Sequence, residues 1–293
     1  MIVLNNEPLG KRTTFHIGGT AGKLYIPETE AELTKKAKEI YDRDHKVYVI
    51  SGGSNLLIND KREFPEVIVM SKACKEMTQL KDGTFYFGAS NRIQKVISFV
   101  NKLGYGGFEE LIGLPALFGG IIYMNAGIGR ESAPLFTISE FIDSVKALEL
   151  ETGKIVTLSA EECAFGHRTS VFKNNKYIIL GAQITCREVD RGDAAARIQK
   201  RREHCKKNFE YGKGCFGSCF MRFCGPLLRT ISTLYKKRIF KYSGKVKFAS
   251  NNANWIYNEG GGTFDDAMKL IRQCKRLHKM TFQKLECEVI IWE

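Results

Sequence analysis

Apolar residues recur along the chain with two alternating periods. KLYIP (23–27), HKVYVI (45–50) and EVIVM (66–70) have the alternating or continuous apolar pattern of strands. Between the first two, Thr29-x-x-Glu32 reads as a capping box opening a helix through Ile40, so residues 1–70 predict a small βαβ-type unit. TFYFGAS (84–90) predicts another strand, followed by a helix whose Ile93, Val96, Ile97, Val100 and Leu103 keep helical spacing and whose C-cap is Gly104. SVKALEL and KIVTL flank Thr152-Gly153 as a hairpin, Ser159-x-x-Glu162 opens a short helix, and KYIILGAQITC reads as a strand. A basic helix runs through Lys207. Near the end, Thr263 caps FDDAMKLIRQCKRLHKM, with Leu270, Ile271, Cys274, Leu277 and His278 on one face, and LECEVIIW follows as a strand. The fold class is α+β, with divisions at 1–70, 71–206 and 207–293.

Charge narrows the partners. In 293 residues, 45 basic against 32 acidic side chains leave +13, which favours anionic ligands through long-range steering. KKAK (35–38) reads as a solvated helix face, whereas 197–207 and 234–247 stay candidates for anion binding. The amino terminus lacks a basic start followed by an apolar run, and the uncharged stretch from Leu114 to Gly129 is too short and too interrupted to span a bilayer. A cytoplasmic protein is expected. Nine cysteines, an odd number at irregular spacing, do not make a disulfide framework, and Cys215, Cys219 and Cys224 fit no structural-zinc spacing.

Five stretches carry candidate chemistry. SGGSNLLI (51–58) follows a strand; Ser51, Gly52, Gly53, Ser54, Asn55 and Leu56 suit either a phosphate-cradling loop or a plain glycine-rich turn. GLPALFGGIIYMNAGIGR (113–130) is uncharged, and Gly119-Gly120 precede an apparently helical IIYMNAG, which fits a cofactor wall or a tightly packed buried helix. In FGHRTSVFK (165–173), Arg168 is placed to clamp a carboxylate or enolate oxygen or to make a surface ion pair, and His167 is a lesser acid–base candidate. GSCF (217–220) offers Ser218 without a nucleophile elbow or an evident base, so proton donation suits it better than acyl transfer. LECEV (285–289) puts Glu286 and Glu288 on one strand face, where an acid in an apolar strand is unexpected.

In this order, TTFHIGGTAGKLYIP, SGGSNLLI, GFEELIGLPALFGGIIYMNAG, FGHRTSVFK, GSCF, ASNNANWIYN and LECEVII resemble the UDP-N-acetylenolpyruvoylglucosamine reductases, the FAD enzymes of bacterial peptidoglycan precursor synthesis. The resemblance implies a vanillyl-alcohol-oxidase-type fold with two FAD-binding subdomains (1–70, 71–206) and a smaller α+β substrate-binding domain (207–293). It implies FAD as cofactor, NADPH as co-substrate and a UDP-sugar substrate. Neither a nucleic-acid nor a membrane partner is expected, and the expected state is a monomer. Residues 51–56 would hold the FAD pyrophosphate, and Gly113, Pro115, Gly119, Gly120, Tyr123, Asn125, Ala126 and Gly127 would line the flavin. Arg168 and Glu288 would stabilise the enol formed when hydride reaches the enolpyruvyl group, and Ser218 would protonate the neighbouring carbon. Lys206, Lys213, Arg222 and position 253 are candidates for substrate contacts. Two departures stand out: Phe220-Met221-Arg222-Phe223 replaces the usual Phe-Lys-Asn-Pro, and Pro115-Ala116-Leu117 replaces Pro-Gly-Ser or Pro-Gly-Thr. The alternatives are an FAD oxidase of the same fold acting on another substrate and a basic nucleic-acid-binding protein.

Overall fold

The computed structural model describes residues 1–130, 133–210, 212–240, 242, 244–281 and 284–293. Positions 241 and 243 of the basic stretch 234–247 therefore lie outside the described residues. The chain divides into two compact units, residues 1–5, 23–52 and 66–207, and residues 6–22, 53–65 and 208–293. The expected segment 71–206 falls wholly in the first, 207–293 almost wholly in the second, and 1–70 is shared. Among the described residues no helix is long and apolar enough to cross a membrane.

In the first unit, Thr29 Oγ accepts from Glu32 N at 3.2 Å and opens the helix Glu30–Asp44. The Glu32 carboxylate reaches back to Glu28 N at 2.8 Å, one residue before the cap. This helix continues past Ile40 until His45 turns left-handed at φ 50°. The strand Tyr48–Ile50 pairs in parallel with Glu63–Val69, Ile50 opposite Val69. The main sheet is antiparallel, in the order Ile155–Ser159, Ile142–Glu149, Tyr177–Thr185, Thr84–Gly88, Met77–Lys81. The helix Ile93–Lys102 lays Ile93, Val96, Ile97 and Val100 into the core. Phe87 joins that core to the next element, since its ring lies 5.9 Å from the ring of Phe118, first residue of the short helix Phe118–Tyr123. Two expectations need correction. The Ser159–Glu162 box forms in both directions, at 2.8 and 3.2 Å, but opens only a turn, because Ala164 goes left-handed at φ 45° and ends it. Gly119 and Gly120 lie inside the short helix rather than before it.

The second unit is built on a three-stranded sheet in the order Gly214–Ser218, Trp255–Asn258, Val246–Phe248. The helices Gly225–Lys236 and Phe264–Met280 bury Leu228, Ile231, Leu270, Ile271 and Cys274. The first of these, unmarked in the sequence reading, starts at a glycine with Pro226 in its first turn, where a missing N–H costs nothing. Phe216 packs its ring 4.5 Å from Phe15 and is 1% exposed. LECEVIIW does not form one strand. Glu286–Cys287 pairs with Phe220–Arg222 and Ile290–Trp292 pairs in parallel with Leu56–Ile58, so the chain changes partner at Glu288-Val289. Glu286 and Glu288 therefore do not share a strand face.

A polar network braces the start of this unit. Glu210 accepts from Ser250 N at 2.8 Å and Ser250 Oγ at 2.9 Å and pairs with Lys213 at 2.8 Å, while its own N–H donates to Tyr257 Oη at 3.1 Å. Burial pushes the Glu210 carboxyl up, but the hydrogen bonds from Lys213 and Ser250 outweigh it and hold the group at about 2. The folded form is favoured wherever the carboxylate is ionised. This stabilisation is complete above about pH 5 and is lost as pH falls toward 2. Chemical denaturation of the wild type and Glu210→Gln should thus give a stability difference that is constant near neutrality and shrinks below about pH 4. Phe216→Ala should cost about 3 to 5 kcal/mol in the same assay, the range for emptying a buried aromatic site.

Candidate active site

The loop after Tyr48–Ile50 divides between the units. Ser51 and Gly52 belong to the first, and a Cβ on Gly52 would lie 3.1 Å from Leu117 N and 3.2 Å from Ala116 Cα and Pro115 O. A Cβ on Gly120 would meet Ser51 Oγ at 3.3 Å. Two glycine-rich stretches far apart in sequence thus touch, and the touching requires that side chains be absent. The Ser51 hydroxyl is buried and has no hydrogen-bond partner among the described residues. A buried orphan hydroxyl beside two glycines is what a phosphate-bearing cofactor would satisfy, so these residues fit FAD.

Gly53, Ser54, Asn55 and Leu56 belong to the second unit. Gly53 holds φ 62°, with Arg12 O only 2.1 Å from where a Cβ would be, so its need for glycine comes from the backbone of Arg12. Asn55 Nδ2 donates to Glu288 O at 3.1 Å, Asn55 O accepts from Ile290 N at 3.1 Å, and Leu56 is buried in strand pairing with Ile290. Ser54 is half-buried.

In the first unit, residues 113–127 and FGHRTSVFK form one assembly. Asn125, at φ 42° and 3% exposed, donates from Nδ2 to Gly166 O at 3.0 Å and accepts at Oδ1 from Ser139 N at 3.1 Å. Ser170 Oγ donates to Tyr123 O at 2.8 Å, and Arg168 Nη2 donates to Gly127 O at 2.9 Å. Arg168 lies in a two-residue turn closed by Gly166 N to Thr169 O at 3.0 Å and Thr169 N to Gly166 O at 3.2 Å. Its φ of 55° is a conformation that most side chains avoid, and Lys173 Nζ holds its carbonyl at 2.6 Å. His167 shares the turn, half-buried. Burial pushes the Tyr123 phenol up, so it stays a neutral donor. Ala126 N closes onto Ile121 O at 2.9 Å, Pro115 is exposed, and Gly119 packs its α-carbon against Ala89. Gly113 admits the helix Arg191–Asn208, since a Cβ there would meet Cys205 Sγ at 2.7 Å and Arg201 Nε at 3.1 Å. Part of that helix's charge is structural: Arg197 pairs at 3.1 Å with Glu109, which is 1% exposed.

In the second unit, Ser218 ends its strand directly opposite Trp255, after Gly217 turns the chain at φ 82°. Trp255 Nε1 donates to Ser218 Oγ at 3.3 Å. The next residue, Cys219, donates from N to Asn254 O at 2.8 Å and accepts at O from Glu288 N at 2.9 Å, which makes Ser218 and Glu288 close neighbours. Burial pushes the Cys215 thiol up to about 11 and the Cys219 thiol well above its ordinary value. Both stay protonated near neutral pH, and among the described residues no group of three or more His, Cys, Asp or Glu is arranged to hold a metal. Of the two acids, Glu286 is taken by Arg222 at 3.5 Å and by Lys284.

The candidates for substrate contacts are dispersed. Lys206 is exposed near the end of its helix, and Lys213 pairs with Glu210 and with Glu259 at 3.2 Å. Arg222 is exposed beside Glu286, and position 253 is an alanine, Ala253, with no side-chain donor. The amide that matters nearby is Asn254, whose Oδ1 accepts from Phe220 N at 2.9 Å and whose Nδ2 donates to Phe220 O at 2.8 Å. Sequence reading missed Asn254 and Trp255, because the contact of Trp255 with Ser218 spans 37 residues and depends on strand register, as do the bonds of Asn254 to Cys219 and Phe220.

Residues 22–159 match the family described as FAD binding domain. The UDP-N-acetylenolpyruvoylglucosamine reductase of Bacillus licheniformis is 32% identical over 273 residues, 92% of this chain and 86% of that protein. That of Bacillus subtilis is 30% identical over 277 residues, 94% of this chain and 88% of that protein. The crystal structure of UDP-N-acetylenolpyruvylglucosamine reductase from Thermus caldophilus shares the fold at a TM-score of 0.76 and 22% identity, covering 100% of this chain and 98% of that one. The chain belongs to the UDP-N-acetylenolpyruvoylglucosamine reductase family, with an α+β fold that includes an FAD-binding domain.

Proposed function

We propose that this protein is an FAD-dependent reductase that converts the enolpyruvyl group of UDP-N-acetylglucosamine enolpyruvate to the lactyl ether of UDP-N-acetylmuramate, with NADPH as hydride source, in peptidoglycan precursor synthesis. In a chain of this family, the observation that supports the assignment of residues is the bond from Glu288 N to the carbonyl of Cys219, the residue after Ser218. FAD, when bound, supplies the hydride-transfer chemistry, and Ser51, Gly52 and Gly120 are the residues that would hold its phosphates.

The chain's own groups then manage charge and one proton. Hydride arriving at the terminal carbon drives negative charge onto the carboxylate-bearing carbon and its oxygens, which need a fixed cation. Arg168 is that cation: its planar fork takes two oxygens at once, and its turn, braced by Gly127 O and Lys173, limits its reorganisation. Ser218 Oγ gives its proton to the carboxylate-bearing carbon as the new C–H bond forms, and solvent returns the proton to the alkoxide. The Glu288 carboxyl holds the enol oxygen. The +13 charge steers three anionic ligands, FAD, NADPH and a UDP-sugar, without invoking nucleic acid.

The purified protein should be yellow. Under anaerobic conditions NADPH should bleach it, and the enolpyruvyl nucleotide-sugar should restore the colour; restoration by oxygen alone would assign it to an oxidase instead. Ser218→Ala should leave bleaching intact and slow restoration by at least about 100-fold, the lower range for a positioned proton donor. Arg168→Lys, which keeps the charge but loses the fork, should slow restoration by about 10-fold or more while the protein still binds FAD.

A further inference from the structure

Ser218 owes its orientation to an aromatic partner that the reaction itself does not require. Ser218 and Trp255 are opposed in the antiparallel pair, and the indole Nε1 is 3.3 Å from Ser218 Oγ. An indole N–H can only donate, whereas a serine hydroxyl donates once and accepts twice. The indole therefore occupies an acceptor position of Oγ and leaves the hydroxyl proton to point elsewhere. The indole itself is restrained. Its ring lies 4.4 Å from that of Phe209, the backbone N–H of Trp255 donates to Asn252 O at 3.1 Å, and the backbone carbonyl of Trp255 accepts from Ala249 N at 2.8 Å. Beside it, Asn254 fixes both sides of Ser218's successor strand through Cys219 N and the two bonds to Phe220.

We infer that Trp255 is a positioning residue for proton donation: its N–H directs the Ser218 proton toward the substrate carbon and stabilises the alkoxide left when that proton departs. The inference rests on Ser218 being the proton donor, as proposed above. In the ground state the bond is a long neutral one. As charge builds on Oγ it becomes a charge-assisted bond, which is shorter and roughly twice as strong. Stabilisation that grows along the reaction raises the rate without tightening substrate binding.

Trp255→Phe keeps a ring against Phe209 and deletes only the N–H. Flavin content, melting temperature and bleaching by NADPH should stay as in the wild type. Restoration of colour by the enolpyruvyl nucleotide-sugar should slow by about 10-fold to 100-fold, with KM changed by less than about twofold. The solvent deuterium isotope effect on that step should rise, because proton transfer then limits it more fully. In a Ser218→Ala background the same substitution should add less than about twofold, since no hydroxyl remains to be directed. Restoration within about twofold of wild type, or a tenfold loss that persists without Ser218, overturns the inference.

A binding-independent measurement guards against a variant that misfolds. The chain has two tryptophans, so Trp292→Phe isolates the emission of Trp255. In that background Ser218→Ala should shift the emission to shorter wavelength as the indole loses its acceptor; unchanged emission overturns the hydrogen bond and with it the inference. This readout needs no turnover. If the wild type fails to reduce the enolpyruvyl sugar, the proposed function falls, while the emission shift still decides whether Trp255 directs Ser218.

Discussion

An uncharged, glycine-rich segment runs partly buried from residue 113 to 127 with only six residues of regular helix in it, and each buried peptide group there needs a partner. Side chains from elsewhere in the first unit supply them. Gln94 donates to the carbonyls of Ile112 and Leu114, at 3.1 and 2.5 Å, before the helix. Ser170 and Arg168 serve the carbonyls of Tyr123 and Gly127 after it. Asn125 adds the reverse connection, to Gly166 and Ser139, from a left-handed backbone that its short amide tolerates. The consequence reaches beyond packing. The same bonds that satisfy the segment fix the turn in which Arg168 is presented.

In the second unit, polar and apolar residues of one short stretch separate by burial. Phe216 and Cys219 are buried in the core and Cys215 is half-buried beside it, and burial keeps both thiols protonated. Ser218 is turned out of that core by Gly217, whose φ of 82° reverses the side-chain alternation. The strand opposite then supplies an N–H donor at the serine oxygen, and the last strands bring Glu288 to the next peptide. A hydroxyl in such a setting is directional.

The split between what was legible and what was not follows the range of each interaction. The hairpin at Thr152-Gly153, the Thr263 cap and the strands at Thr84–Gly88 and Tyr177–Thr185 depend on neighbours within a few residues, and their patterns read directly. The Ser159–Glu162 box was also local and did form, yet no helix followed, because a backbone reversal at Ala164 outweighed the cap. LECEVIIW looked continuous because alternation cannot reveal a change of pairing partner. Glycines were the least legible residues. Gly52 and Gly120 serve a close approach beside Ser51, but Gly53 serves Arg12 and Gly119 serves Ala89.

The sequence by itself determined the α+β class and the ordered motifs that mark the family, and it offered candidates for the chemistry: the fork-shaped cation of Arg168, the hydroxyl of Ser218 and an acid near the end. Only the tertiary structure decided that Glu286 pairs with Arg222 and Lys284, which glycines serve a close approach beside Ser51, and that Trp255 donates to Ser218. The reason is physical. Residue type and short-range periodicity are properties of neighbours in the chain, whereas the partner of a buried polar group is set by strand register and close packing between distant segments, as with Asn55 and Glu288, separated by 233 residues.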